Sequence, residues 1–339
     1  MFIIIPFKMK RNRRTFLKNS GQAALGMGLL GIYSCADANA TKEAATANAE
    51  ETTTEPSSEL FFQLSLAQWS LHNMLFDGKL DNLDFPAFTK KEFGIEAVEY
   101  VNQFFGEKGT DQAYLTELKK RADDNGVKSL IIMVDREGNL GDTDANARQT
   151  AVENHFKWLE AAKFLGCHSI RVNAFGVGTA DEVKAAAIDG LGKLATEGQK
   201  YGLNVIVENH GGYSSDGKWL TDVMAQINLP NCGTLPDFGN FCIEREGGAQ
   251  WDGKCINEYD RYLGVQEMMP YAKSVSAKSH NFDANGNETN TDYLKMMQIV
   301  KDAGYTGYVG VEYEGTDLSE LEGIKATRDL LLRVGSQLK

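Results

Sequence analysis

Residues 292–315, DYLKMMQIVKDAGYTGYVGVEYEG, indicate the fold of this chain. The first half places apolar residues at helical spacing and ends at Gly304, a residue type that closes helices in the left-handed conformation. The second half, residues 306–314, is a short apolar and β-branched run typical of a buried strand. A helix followed directly by a strand is the repeating unit of an α/β fold.

The same alternation extends along the chain. Eight short apolar runs alternate with segments of helical spacing, which end at glycines such as Gly126, Gly166 and Gly202. Eight such units in about 280 residues predict one α/β domain, a (β/α)8 barrel over residues 59–339. A doubly wound open sheet is the alternative, but no run leads into a GxGxxG turn. The predicted strands are 60–72, 95–101, 127–135, 168–176, 203–210, 232–240, 274–282 and 306–314, and predicted helices include 111–125, 154–165, 181–201, 293–303 and 318–334.

The first 58 residues have the pattern of an export signal and a tether. A twin arginine in KRNRRTFLK (10–18) precedes a short apolar stretch and then Cys35, in an IYSC box. This order predicts a twin-arginine lipoprotein signal peptide over residues 1–35, ending at a lipidated Cys35. Residues 36–58 are small, polar and acidic, which predicts a disordered linker. We therefore expect an exported protein, periplasmic, that reaches the membrane only through its lipid anchor.

The formal charge argues against nucleic acid as a partner. The chain carries −12, and residues 1–34 hold six basic and no acidic side chains, so the chain without them carries −18. A body this acidic is a poor binder of phosphate backbones. A DNA-repair endonuclease is therefore disfavoured.

Two cysteines flank the longest irregular stretch, residues 241–258, which follows the sixth predicted strand. Cys242 and Cys255 are predicted to form a disulfide, because export permits one and the CxxC spacings of zinc sites are absent. Cys167 and Cys232 begin apolar runs and are expected to be core thiols. In a barrel this loop lies at the face where active sites form, so Trp251 is predicted either to support a substrate or to pack against its own loop.

Three carboxylates stand at the ends of three predicted strands: Glu208, Asp237 and Glu312. Burying an acid at such a position is costly unless a partner compensates for its lost hydration. Three together predict a site around one cation, with ion pairing to Arg171, the one inward arginine, as the structural alternative. Period two also places Lys278 on an inward face, where it would contact either a substrate oxygen or a carboxylate.

At these residues the chain resembles a known family. The motifs VENHGG, LPDFGN, SAKSHNFD and VGVEYEG resemble those of the xylose isomerase-like sugar isomerase/epimerase superfamily, over residues 61–334. The resemblance implies a TIM barrel in which one divalent cation is held by a Glu, an Asp, a His and a Glu from the last four strands. It assigns Glu208, Asp237 and Glu312 as ligands, and the two Glu residues as acid and base.

The histidine ligand does not transfer directly. The family pattern His-x-Lys-Asp, aligned on Lys278, places Ser276 at the ligand position. His280, two residues beyond Lys278 on the same face, is predicted to supply the nitrogen instead, with His210 as the alternative. The predicted substrate contacts are His72, Asn173, His210, Asn240 and Lys278.

These residue types fit proton transfer next to a carbonyl. A cation bridging two substrate oxygens stabilises an enediolate, while two carboxylates take and return the proton. Oxygen-rich ligands favour Mg²⁺, Mn²⁺ or Co²⁺ over Zn²⁺. The sequence thus predicts a metal-dependent sugar isomerase or epimerase acting on a small carbohydrate. A lyase or hydratase that cleaves 3-keto-glycosides by β-elimination and a catalytically silent sugar-binding lipoprotein are the alternatives.

Overall fold

The computed structural model describes residues 60–248 and 250–338. The predicted signal peptide (1–35), its Cys35 and the linker (36–58) lie outside these residues and stay predictions. Within the described ranges, no helix combines the length and apolar character needed to cross a membrane.

In the described part of the chain, eight parallel strands form a barrel, which confirms the predicted fold. The strands are β1 Gln63–Ala67, β2 Ala97–Val101, β3 Lys128–Met133, β4 Ser169–Val172, β5 Asn204–Glu208, β6 Cys232–Leu235, β9 Val275–Ser279 and β10 Tyr308–Tyr313, with a separate hairpin of β7 Cys242–Arg245 and β8 Cys255–Glu258. Seven hydrogen-bonded pairings join the eight parallel strands in one sheet, ordered β6-β5-β4-β3-β2-β1-β10-β9. The ring closes between β6 and β9 through the bridges Thr234–Ala272 and Asp237–Ser276.

The helices pack around the outside of the sheet. They are α1 His72–Phe76, α2 Phe85–Phe93, α3 Gln112–Asp124, α4 Ala145–Leu165, α5 Ala180–Tyr201, α6 Gly217–Ile227, α7 Arg261–Met268, α8 Tyr293–Asp302 and α9 Glu320–Gln337. The Thr179 hydroxyl and the Glu182 carboxylate form a capping box at the start of α5, which fixes where that helix begins. Gly166 and Gly202 end α4 and α5 in the left-handed conformation, as the sequence predicts.

The apolar core has two parts. The larger lies between the sheet and the surrounding helices, and buries Trp158, Tyr100 and Phe85 among many aliphatic side chains. A smaller cluster contains Ala67, Ile131, Ile206 and Leu235, from strands around the ring. Because Ile206 and Glu208 share one face of β5, the apolar cluster lies beneath the polar end of the barrel and supports it.

The stretch expected to be irregular after the sixth strand contains a hairpin. β7 and β8 pair antiparallel, and Cys242 and Cys255 form a disulfide between them. Their residues are mostly exposed or half-buried, so the strands lack the apolar alternation that reveals a strand in sequence. The hairpin projects at the carboxyl-terminal face of the barrel, next to the ends of β5 and β6.

Candidate active site

Three buried carboxylates meet at the carboxyl-terminal end of the barrel. Glu208 ends β5, Asp237 follows β6, and Glu312 lies near the end of β10. One oxygen of each lies within 4.8 Å of the others, and all three side chains are buried. We call these three residues the acid triad. Barrel closure brings them together, because the bridge between Asp237 and Ser276 joins β6 to the strand beside β10.

The Ser276 hydroxyl lies between two triad carboxylates. Its oxygen is 2.8 Å from Asp237 Oδ2 and 2.7 Å from Glu312 Oε2. A serine hydroxyl has one proton and can donate to only one of them. The second contact therefore requires a proton on that carboxyl group, or a cation that draws the oxygens together.

Lys278 lies within ion-pair distance of two triad acids, and its side chain is only 2% exposed. Its Nζ lies 2.9 Å from Glu314 Oε1, 3.5 Å from Glu312 Oε1 and 3.7 Å from Asp237 Oδ2. Burial alone would lower the pKa of this ammonium, but the carboxylates around it hold the pKa well above its usual value. Lys278 is therefore charged, and it is shared among acids rather than paired with one.

Arg171 on β4 joins the triad to a fourth acid, Asp135. Its Nη1 donates to Asp135 Oδ1 at 2.8 Å, and its Nε lies 2.8 Å from Glu208 Oε2 without its N–H pointing at that oxygen. Glu208 Oε1 accepts a hydrogen bond from Asn240 Nδ2 at 3.1 Å. The ion pair of Arg171 with a strand-end acid, which the sequence predicts as the alternative to a cation site, is present for Glu208. The same arginine also binds Asp135, so it is shared between two carboxylates.

Asp135 also fixes the tautomer of His210, through the side chain of Asn173. Asn173 donates from Nδ2 to Asp135 Oδ1, which turns the Asn173 carbonyl oxygen towards His210 Nδ1, 2.8 Å away. That nitrogen must carry the proton, so Nε2 is left as a hydrogen-bond acceptor. Burial, with Arg171 and Lys278 nearby, lowers the pKa of His210 to about 3. The imidazole is therefore neutral at physiological pH.

Two triad members resist ionisation. Burial raises the pKa of Glu208 to about 8, against the opposing effect of Arg171 and Lys278. Burial likewise raises the pKa of Asp237 to about 6, although Lys278 opposes it. Carboxyl groups held near neutrality in this way are suited to exchanging protons with a ligand.

A cavity of about 690 Å³ opens beside the triad, and Glu312 is the triad member that lines it. Asn173, His210, Asn240, Lys278 and His280, all predicted site residues, line it. It also has aromatic lining from the loops after β1, β4 and β6, contributed by Trp69, Phe175 and Trp251.

Two predicted site residues, the metal ligand His280 and the substrate contact His72, lie elsewhere than expected. His280 lines the cavity but is not part of the triad, since β9 ends at Ser279 and the alternation of faces does not continue past it. His72 is not among the lining residues. The chain turns into a 3-10 helix, Gln68–Leu71, directly after β1, and His72 Nδ1 bonds to the Trp69 carbonyl oxygen at 2.8 Å.

The sequence reasoning missed two acids of the site. Asp135 ends the predicted strand 127–135, so the signal that identified the triad, an acid at a strand end, was present there too. Glu314 lies two residues beyond Glu312 and bonds to Lys278. Both accept a hydrogen bond from a cationic side chain, whereas the triad acids lie only at ion-pair distance from Arg171 or Lys278. The three-dimensional arrangement is needed to reveal this difference.

Comparison with known proteins places the chain in a family. Residues 90–334 match the sequence profile of the xylose isomerase-like TIM barrel. The chain belongs to this family. A search among curated proteins finds no match.

Several solved structures share the fold. The IOLI protein with a bound zinc atom superposes with a TM-score of 0.62 at 13% identity, covering 82% of this chain and 99% of that one. A xylose isomerase-like TIM barrel protein from Mycobacterium smegmatis in complex with magnesium gives 0.54 at 14%, covering 74% and 87%. The 3-keto-D-glucoside 4-epimerase YcjR from E. coli gives 0.57 at 15%, covering 75% and 94%.

Proposed function

We propose that this protein is a divalent-metal-dependent sugar isomerase or epimerase that removes a proton next to a carbonyl group. The observation that carries this proposal is the acid triad itself, three buried carboxylates with oxygens within 4.8 Å of one another, of which Glu312 lines a ligand-sized cavity. Family membership supports it, and so does the fold shared with a keto-glucoside epimerase.

The charge of the floor favours a bound cation. Five carboxylates face two cationic side chains, so the site carries a negative excess even when the cations are fully charged. An ion held by oxygens of Glu208, Asp237 and Glu312 would offset that excess. The five acids are Asp135, Glu208, Asp237, Glu312 and Glu314, and the two cations are Arg171 and Lys278.

The donor set fits a hard divalent cation. The triad offers carboxylate oxygens, with the Ser276 hydroxyl where the family pattern has histidine, and such ligands suit Mg²⁺ or Mn²⁺ better than Zn²⁺. His280, the predicted nitrogen ligand, is not among the residues whose ligand atoms group with the triad, so the proposed ion site uses oxygen ligands. When bound, the ion would polarise the substrate carbonyl and stabilise enediolate charge. Two relatives carry zinc and magnesium respectively.

The chain's own residues supply proton transfer and positioning. Glu208 and Glu312 come from β5 and β10, which are separated by β6 and β9 in the ring, so they approach a substrate from different sides. One would take the proton and the other return it. Arg171 and Asn240 orient the Glu208 carboxyl group, Lys278 would donate to a substrate oxygen, and His210 Nε2 would accept from a hydroxyl.

Solvent deuterium tests the reaction directly. The Mn²⁺-loaded protein is incubated in D₂O with 3-keto-glucosides and free ketohexoses, and the sugars are examined by NMR. We expect deuterium at a carbon beside the carbonyl, and loss of exchange by at least about a thousandfold in Glu312→Gln and Glu208→Gln. If metal-saturated protein binds these sugars without exchanging any proton, it is a sugar-binding protein and the enzymatic proposal fails.

We further propose that the enzyme is an exported lipoprotein. The twin arginine and the Cys35 box support this, and export favours free sugars or glycosides over sugar phosphates, which are cytoplasmic. Metabolic labelling with palmitate in cells expressing the full chain tests it. We expect label on the wild type and none on Cys35→Ala, whereas an unlabelled wild type contradicts the anchor.

A further inference from the structure

The cavity is larger than one sugar ring. Its volume is about 690 Å³. A hexose has a volume on the order of 200 Å³ if each carbon–oxygen unit takes about the space of one water molecule. The cavity is in the range that binds ligands of drug size, roughly 300–1,000 Å³. It therefore has room for a sugar ring and a second group of similar size.

An aromatic wall rises beside the triad, on the side of β5. The Trp251 ring centroid lies 4.4 Å from that of His210 and 5.8 Å from that of Phe175. All three rings line the cavity, and Trp251 remains 46% exposed. An indole that packs on one side and is open on the other offers a flat surface for stacking.

The hairpin holds this wall in place. Trp251 lies between β7 and β8, which the disulfide Cys242–Cys255 joins. The indole also rests on the loop after β5, where a side chain at Gly211 would lie only 3.4 Å from it. A surface fixed in this way loses little conformational entropy on binding.

A second aromatic wall lies across the cavity. Trp69 follows β1, which is four strands from β5 in the ring and so on the opposite side. Its ring stacks on His72 with centroids 5.0 Å apart, and it packs against Phe104 at 5.9 Å. The cavity thus has a charged floor between two flat apolar surfaces.

We propose that the substrate is a glycoside, whose keto-sugar ring lies over the acid triad while its aglycone stacks on Trp251. This inference depends on the proposed function in one respect, which is that the reacting sugar ring binds at the charged floor of the cavity. The charged groups lie at the floor, where they can meet carbonyl and hydroxyl oxygens, and the aromatic surface of Trp251 suits a planar aglycone or the C–H face of a second sugar.

Binding of three probes tests the proposal. The apparent Kd values of 3-keto-glucose, methyl 3-keto-β-glucoside and 4-nitrophenyl 3-keto-β-glucoside are measured by calorimetry with the Mn²⁺-loaded chain. We expect the nitrophenyl probe to bind about tenfold tighter than 3-keto-glucose. In Trp251→Ala this ratio should fall below about threefold while the Kd of 3-keto-glucose is unchanged. The matched control is Ile256→Ala, which removes a 55% exposed side chain of the same hairpin that does not line the cavity and should keep the ratio.

Several results would overturn the proposal that the substrate is a glycoside. They are a wild-type ratio near one, equal weakening of all probes by Trp251→Ala, no binding of any probe, or 4-nitrophenol alone binding as tightly as its glycoside. The deuterium experiment is read separately. A preserved glycoside preference without proton exchange refutes the proposed chemistry and leaves the substrate class standing.

Discussion

Two aspartates at strand ends, Asp135 after β3 and Asp237 after β6, occupy similar places in the fold and differ in their partners. Asp135 accepts hydrogen bonds from Arg171, Asn173 and Gln103. Asp237 accepts two backbone N–H bonds and the Ser276 hydroxyl, with Lys278 3.7 Å away.

The partners set the charge of the two acids. Burial would raise the pKa of Asp135, but Arg171, His210 and Asn173 hold it well below its usual value. Burial raises the pKa of Asp237 to about 6, and the shared Lys278 does not reverse this. An acid that accepts a hydrogen bond directly from an arginine, as Asp135 does, is part of the scaffold, whereas buried acids near too few cations form a site that favours a ligand of positive charge.

Replacing Asp135 should have the largest effect on stability. Asp135→Asn leaves Arg171 with only Glu208 and disturbs the bond that orients His210, so the free energy of unfolding should fall by about 4 kcal/mol. Urea denaturation of the metal-free protein measures it. Asp123→Asn, which removes an exposed ion pair with Lys119, is the control and should cost less than about 1 kcal/mol. Equal losses of stability in Asp135→Asn and Asp123→Asn would contradict the view that Asp135 is part of the scaffold.

Glu99 on β2 tests whether the partners of a buried acid, rather than its position at a strand end, set its charge. It is fully buried and accepts a hydrogen bond from the Ser65 hydroxyl at 2.6 Å, and it forms no ion pair within the described residues. Burial raises its pKa to about 7, although the charge of Arg171 opposes this. The stability that the neutral acid contributes is complete below about pH 4.5 and is lost as the pH rises through 7. This loss should be about 3 kcal/mol in the wild type.

Glu99→Gln cannot ionise and should lose that part of the pH dependence. Urea midpoints at pH 5 and pH 8, measured in EDTA, compare the variant with the wild type. The same pH slope in both proteins would mean that Glu99 is ionised in the fold at neutral pH.

Asp237→Asn should raise the free energy of unfolding of the metal-free protein, whereas Asp135→Asn should lower it. The raised pKa of Asp237 means that stability present below about pH 4 is lost as the pH rises through 6. An amide avoids this loss, so the metal-free variant should be about 2 kcal/mol more stable than the wild type at pH 8, while divalent-ion binding is lost. Destabilisation at pH 8 comparable to that of Asp135→Asn would remove the contrast between the two aspartates.

The smallest expected change concerns Ser276. Ser276→Ala removes a hydroxyl that contacts two triad carboxylates and should lower the free energy of unfolding by about 1 kcal/mol. Ser279→Ala on the same strand removes a buried hydroxyl that bonds to Thr327 instead. Both should cost similar stability, but only Ser276→Ala should change the Kd for Mn²⁺. An unchanged Kd would exclude the hydroxyl from the ion site.

The sequence predicted the strands and the triad because both follow from local rules. Apolar runs mark the strands and glycines mark the ends of several helices, and closure of an eight-stranded barrel forces the strand ends into one site. The disulfide between Cys242 and Cys255 was also predicted from local spacing, and the structure contains it.

What the sequence did not predict depends on side chains beyond the strand ends. His72 and His280 were placed by alternation of faces, which stops where the 3-10 turn after β1 begins and where β9 ends. The sharing of Arg171 between Asp135 and Glu208 joins three strands and leaves no pattern in any one of them. Pairing of charges across a barrel is a property of the fold rather than of a local motif.

The most direct test of the account is calorimetric titration of the metal-free protein with Mn²⁺. We predict one ion per chain, with binding lost in Glu208→Gln and in Glu312→Gln. It should be retained in Glu137→Gln, a cavity-lining acid outside the triad that pairs with Lys157. No binding to the wild type, or binding that both triad variants keep, would contradict the claim that the unbalanced acids form a cation site.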